Sequence, residues 1–135
     1  MDQKKILEQI NSMSLKNMGQ YLGIEFIHVE DGLLKATMPV DERTKQPYGV
    51  LHGGASAVLA ETVGSVGSHL IVNEEGKRAF GIEINTQHLR PVTEGKVYAT
   101  AKIIQHAKTM HTWQIDIHDD NSKLVSISKL IVAIK

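Results

Sequence analysis

The sequence predicts an α+β fold in which an antiparallel β-sheet wraps around one long central α-helix. Three observations lead there. Strand-like runs follow one another through the second half of the chain, and a single long helical segment rich in small residues stands in the middle. Helices do not alternate with strands, as a doubly wound parallel sheet requires. At 135 residues the chain has the length of one domain, 1–135, and can bury a core without disulfides or a structural metal.

The elements follow in order. Ile6, Leu7, Ile10 and Met13 recur at helical spacing among Lys, Glu and Gln, which predicts a short amphipathic helix ending near Gly19 and serving as a lid. "IEFIHVE" and "LLKATMPV" read as strands joined by Asp31-Gly32, a pair suited to the positive φ values of a tight hairpin turn. The polar loop "DERTKQP" then delivers the chain to a helix from about residue 54 to 72, closed by "NEEGKR" with Gly76 as the break. Strands are predicted over residues 79–89, 96–106, 112–118 and 124–134, forming an antiparallel meander. In the third of these Trp113, Ile115 and Ile117 alternate with Gln114, Asp116 and His118, so one face, Trp113 included, is expected in the core. Along the helix Ala55, Ala57, Ala60, Gly64 and Gly67 present a narrow surface. Each helical glycine costs roughly 1 kcal/mol relative to alanine, and close approach of the sheet is the expected compensation.

Fifteen basic and fifteen acidic side chains cancel, so no nucleic-acid or membrane-surface partner is expected. There is no cysteine, which excludes a disulfide scaffold, a thiolate nucleophile and thiolate zinc sites. The start "MDQKKILEQINSM" lacks the apolar core of a signal peptide, and no uninterrupted apolar run reaches the length of a membrane span, so the expected location is cytoplasmic. No P-loop or G-x-G-x-x-G fingerprint occurs, and the glycines around Ser56 and Ser65 do not form the G-x-S-x-G elbow. The histidines form neither H-E-x-x-H nor an i, i+4 pair, so neither metal nor cofactor is expected.

Two features remain. Glu61 shares a helix face with Ala57 and Ser65, and from residue 53 to 72 only His69 accompanies it as a titratable side chain. A surface helix would carry a polar stripe, so this acid is expected in a buried or cleft position, where desolvation raises carboxylate pKa values in general. At the helix start stands His52-Gly53-Gly54, where unpaired N–H groups carry positive potential and glycine admits a ligand to the backbone, an arrangement that can stabilise an oxyanion. The plainer alternatives are a solvent-facing glutamate and glycines that only shape a turn. His88 stands beside Arg90 at a strand end, where a site could form.

The runs "QPYGVLHGGASAVLAETVGS", "GIEINTQHLRPVTEGKVYATAK" and "TWQIDIHDD" closely resemble the hotdog-fold acyl-CoA thioesterases. The likeness is to the aryl-CoA branch, which includes the 1,4-dihydroxy-2-naphthoyl-CoA and phenylacetate-pathway enzymes, and it covers nearly all of the chain after the first twenty residues. The resemblance implies hydrolysis of an acyl-CoA thioester, coenzyme A entering only as part of the substrate. It implies a homodimer formed by joining two sheets, often paired again into a tetramer. Glu61 resembles the catalytic nucleophile or general base, and Gly53 the backbone donor that polarises the carbonyl, with carboxylate and donor from opposite subunits. Gln46 and His52 would orient water or the thioester, and Ser65 would line the pocket. Gly81, the segment His88, Leu89, Arg90 and Pro91, and the turn Gln105, His106, Ala107, Lys108, Thr109 and Met110 resemble the coenzyme A contacts, Arg90 and Lys108 being suited to phosphates. The turn departs from relatives that carry glycine with arginine or serine there. A hotdog hydratase or dehydratase and a non-catalytic acyl-CoA sensor are the alternatives, the former separated by thiol release and the latter disfavoured by Glu61.

Overall fold

A computed structural model describes residues 2–13 and 17–135. The elements are α1 (Gln3–Ser12), α2 (Met18–Tyr21), β1 (Glu25–Glu30), β2 (Leu33–Pro39), α3 (Gly53–Val72), β3 (Ala79–His88), β4 (Lys96–His106), β5 (Met110–His118) and β6 (Leu124–Ile134), with a 3₁₀ turn at Asn73–Glu75. The expected single N-terminal helix is instead two pieces. Asp2 caps α1 by accepting from the Lys5 N–H, Asn17 caps α2 in the same way from Gln20, and residues 14–16 between them lie outside the described residues. Ile10 is fully buried, while Met13 is half exposed. Asn11 ties α1 to β1, its Oδ1 accepting from the Phe26 N–H at 2.8 Å and its Nδ2 donating to the Phe26 carbonyl at 3.0 Å. The helix thus covers one edge of the sheet, which would otherwise present unpaired backbone groups.

In the hairpin Glu30 pairs with Leu33 across a two-residue loop. Only Gly32 takes positive φ, +71°; Asp31 does not, so the pair divides the work. Gly76, with φ of +70°, ends the 3₁₀ turn after α3 as expected.

One six-stranded sheet runs in the order β1-β2-β4-β5-β6-β3, antiparallel throughout. The predicted meander therefore holds for β4, β5 and β6 but not for β3, which lies at the far edge against β6. The reason is competition for partners: β4 takes the free side of β2, from Leu33↔Lys102 to Pro39↔Lys96, and β3, arriving across α3, finds its ladder on β6. Hydrophobic periodicity specifies a strand's face, not its neighbour.

The sheet closes on α3 along the small residues. A Cβ on Gly64 would lie 2.6 Å from Leu130 Cδ2, and one on Gly67 2.5 Å from Trp113 Cη2. Leu59, Ala60 and Val63 complete that face against Ile115, Leu130 and Val132, all fully buried. Averaged over 18 residues, Gly53–Glu75 has a mean hydropathy of 1.3, so by length and composition it would pass as a membrane span although no unbroken apolar run is that long. Half of that window is buried inside the fold, the behaviour of a central core helix.

A buried polar chain joins helix to sheet where sequence reading expected only an apolar tryptophan. Trp113 Nε1 donates to Ser68 Oγ at 2.7 Å, and Ser68 Oγ shares a second hydrogen bond with His111 Nδ1 at 2.8 Å, its donor set by the imidazole tautomer. His111 Nε2 is buried with no partner among the described residues.

Candidate active site

The start of α3 is built by the turn before it. Lys45 and Leu51 form an isolated bridge, the Gln46 N–H donates to the Val50 carbonyl at 2.9 Å, and Gly49, at φ +84°, donates to the Gln46 carbonyl at 2.9 Å. The Gln46 side chain accepts from the Tyr48 N–H, so it is held at this turn. His52 caps the helix, its Nδ1 accepting from the Gly54 N–H at 2.8 Å. Because Nδ1 accepts, the neutral ring carries its proton on exposed Nε2 and presents a donor to solvent.

The remaining first-turn donors are accounted for with one exception. The Ala55 and Ser56 N–H groups both donate to the His52 carbonyl, at 3.0 and 3.3 Å, and Gly54 is used by His52. The Gly53 N–H has no partner among the described residues. Gly53 is not in the left-handed region, so its backbone does not demand glycine. A side chain there would instead meet the ring of His88: a Cβ at Gly53 would stand 2.7 Å from Nε2 and 2.9 Å from Cε1.

Gly53, Ser56, residues 88–91 and Val125 line one cleft of about 400 Å³. Of the residues singled out from the sequence, the structure brings Gly53 and the 88–91 segment together in this cleft; Ser56, weighed from sequence only as a nucleophile, and Val125 also line it. The Leu89 and Arg90 N–H groups donate to the Val125 carbonyl at 2.8 and 3.2 Å and anchor the segment to β6.

Glu61 lies two turns along α3, half-buried, on a face where Ala57, Val58, Thr62, Ser65 and Val66 are also only partly covered. None of the ion pairs among the described residues involves it. Its carboxylate rests on β3: a Cβ at Gly81 would meet Glu61 Oε2 at 2.6 Å. Ser65 stands one turn further on, with no hydrogen bond to Glu61 among the described residues.

A β-bulge arranges both contacts. The β3–β6 register runs Gly81↔Val132, then jumps to Glu83↔Ile131 and Ile84↔Leu130, leaving Ile82 as the extra residue. Residues opposite one another share a face, and Val132, Leu130, Ser128 and Ser126 are buried, so Gly81, Ile84, Thr86 and His88 all face the helix. Without the bulge Glu83, Asn85 and Gln87 would take that face. No feature of the sequence pattern marked this shift.

The turn at residues 105–110 lies at the other end of the sheet from residues 88–91. Met110 pairs with Ala133 and the Ile134 N–H donates to the Thr109 carbonyl, whereas His88 pairs with Ser126. Within one chain, then, the two segments do not meet. His106 packs its ring edge-on to buried His111 at 4.5 Å between centroids, and Lys108 is exposed. Burial, and then the nearby His106, push the His111 imidazole below its ordinary value, against a smaller opposing pull from Glu75. Among the described residues no cluster of three His, Asp or Glu could hold a metal ion.

The sequence profile of the thioesterase superfamily matches residues 48–126. The chain is 47% identical over 131 residues to the 1,4-dihydroxy-2-naphthoyl-CoA hydrolase of Escherichia coli strain K12, covering 97% of this chain and 96% of that one. It is 41% identical over 128 residues to the proofreading thioesterase EntH of Cronobacter turicensis, covering 95% and 93%. Among solved structures, a thioesterase from Haemophilus influenzae superposes with a TM-score of 0.92 at 45% identity, covering 96% of this chain and 90% of that one.

Proposed function

Because the chain belongs to the thioesterase superfamily and is a thioester hydrolase, we propose that its substrate is an acyl-CoA with an aromatic acyl group, cleaved to the free acid and CoA by Glu61. The observation that carries this reading is the unpaired Gly53 N–H at the start of α3, with a cleft in front of it and one carboxylate further along the same helix. The N–H polarises the thioester carbonyl and holds the oxyanion. Glu61 attacks the carbonyl carbon or takes a proton from the water that does. His52 Nε2–H and the Gln46 side chain, both fixed at the helix start, orient the thioester or water, and Ser65 lines the pocket. The reaction consumes only water, so no cofactor is required. The 47% identity to the naphthoyl-CoA hydrolase supports an aryl substrate. We place the enzyme in the cytoplasm, where CoA thioesters are used, and take the whole chain as one catalytic domain.

The working unit in this reading is a homodimer. Eight residues separate Gly53 from Glu61 on one helix, about 12 Å of rise, too far for both to reach one thioester carbon. β3 has a free edge carrying Phe80 and Ile82, 49% and 57% exposed. Two such edges paired antiparallel about a twofold near Ile84 and Asn85 set Gly81, with Glu61 upon it, opposite His88 of the partner subunit. The same operation brings residues 88–91 of one chain toward the partner's 105–110 turn, so that both could hold one CoA. Pairing of two dimers would follow as a further step.

Glu61→Gln keeps the side chain's volume and removes its charge. In a thiol-release assay over aryl-CoA, fatty acyl-CoA and carrier-protein thioesters it should lower kcat by about 100-fold or more with the fold intact. Turnover near the wild-type rate would refute Glu61, and a preference for alkyl chains would refute the aryl assignment.

A further inference from the structure

We propose that Gly81 is a positioning residue for Glu61: its bare Cα and the bulge at Ile82 seat the carboxylate, so that Gly81 governs turnover and not the affinity for CoA. The inference rests on the role given to Glu61 above. Glycine inside a strand weakens it, and it persists where a turn needs positive φ or where something must approach the backbone closely. Gly81 is absent from the positive-φ glycines, so the first reason does not apply.

The second reason does. The three atoms nearest a Cβ at Gly81 all belong to Glu61: Oε2 at 2.6 Å, Cδ at 3.2 Å and Cγ at 3.4 Å. The place where a side chain would stand is filled by the carboxylate. The bulge is the other half of the seat, because it lets Gly81 face α3 and, three residues later, turns Ile84 onto the same face, leaving Ile82 exposed.

The consequence of filling that place can be worked out. Ordinary contact begins at 3.4 Å, so Oε2 must retreat by about 0.8 Å to admit a methyl group. The obstructing atoms are the free end of a flexible side chain, so the carboxylate moves and the strand stays. A displacement of about 1 Å at a reacting group costs on the order of 100-fold in rate. A residue that merely touched CoA would instead raise KM.

The test is Gly81→Ala assayed with benzoyl-CoA as probe. The expected result is a kcat lower by roughly 10- to 100-fold, with KM within about twofold of wild type. In the Glu61→Gln background the same substitution should cause no further loss, because its effect passes through the missing carboxylate. If Gly81→Ala lowers Tm, adding Glu61→Asp, whose shorter chain vacates the overlap, should restore it. A rise in KM at unchanged kcat, an equal loss in the Glu61→Gln background, or no recovery of a lowered Tm would each overturn the assignment. The two readings fail separately: an active Glu61→Gln enzyme removes the catalytic carboxylate and this proposal with it, whereas an inactive one beside a KM-only Gly81→Ala defect removes this proposal alone.

Discussion

Gly67→Ala sets two physical effects against each other at one atom. Alanine is the better helix former by roughly 1 kcal/mol, and Gly67 sits well inside α3, so propensity alone predicts a more stable protein. Sterics oppose it. The new Cβ would stand 2.5, 2.8 and 3.1 Å from Trp113 Cη2, Cζ2 and Cζ3, and reaching 3.4 Å requires the ring to shift by about 0.9 Å. Trp113 is completely buried, and its Nε1 is held at 2.7 Å by Ser68, the very next residue of α3, so the ring cannot swing aside freely. Overpacking of a filled core costs about 1–3 kcal/mol, and loss of the indole bond would add about 1–3 kcal/mol for an unsatisfied buried donor. Set against about 1 kcal/mol of propensity, these costs leave a net destabilisation of about 1–5 kcal/mol, or roughly 4–18 °C in Tm for a chain of this size. Trp113 is the one tryptophan in the sequence, so its fluorescence reports the contact directly. Thermal melts at fixed protein concentration, with emission spectra of the folded state, make the assay. A Tm at or above wild type with unchanged emission would show that propensity wins and that the helix glycines do not exist to admit the sheet.

If donor and carboxylate come from opposite subunits, Glu61→Gln and Gly53→Val chains, each inactive alone, should regain activity when unfolded and refolded together. Random pairing makes half of the dimers hybrids with one intact site, so recovery should approach about a quarter of wild type; no recovery would place both groups in one subunit. His111 supplies a pH dependence. Burial disfavours its charged form in the fold, so below about 6.5 the unfolded chain binds the extra proton and stability falls as pH drops. Tm should therefore decline from pH 7.5 to 5, and His111→Gln should flatten that slope; an equal slope in the variant would assign the effect to other groups.

The sequence by itself determined what is local or periodic. Strand and helix positions came within a few residues of the observed ones, because alternation, turn chemistry and the small-residue stripe each act over a few neighbours. Glu61 and the two glycines at the helix start could be singled out because a lone acid on an apolar helix and a backbone left bare are anomalies of composition. The break between α1 and α2 escaped, since the apolar spacing runs on past the last helical residue. Tertiary structure alone decided who pairs with whom. β3 went to β6 and not to β4 because β2 and β5 already occupied both sides of β4, a competition between distant segments that no periodicity records. The bulge at Ile82 changed which half of β3 faces the helix, and it is visible only in the register against β6. The same holds for Gly53 against His88 and Gly81 against Glu61, contacts between residues far apart in the chain. At these two positions the place of the missing side chain is taken by an atom from a distant residue, and only the folded chain brings that atom there.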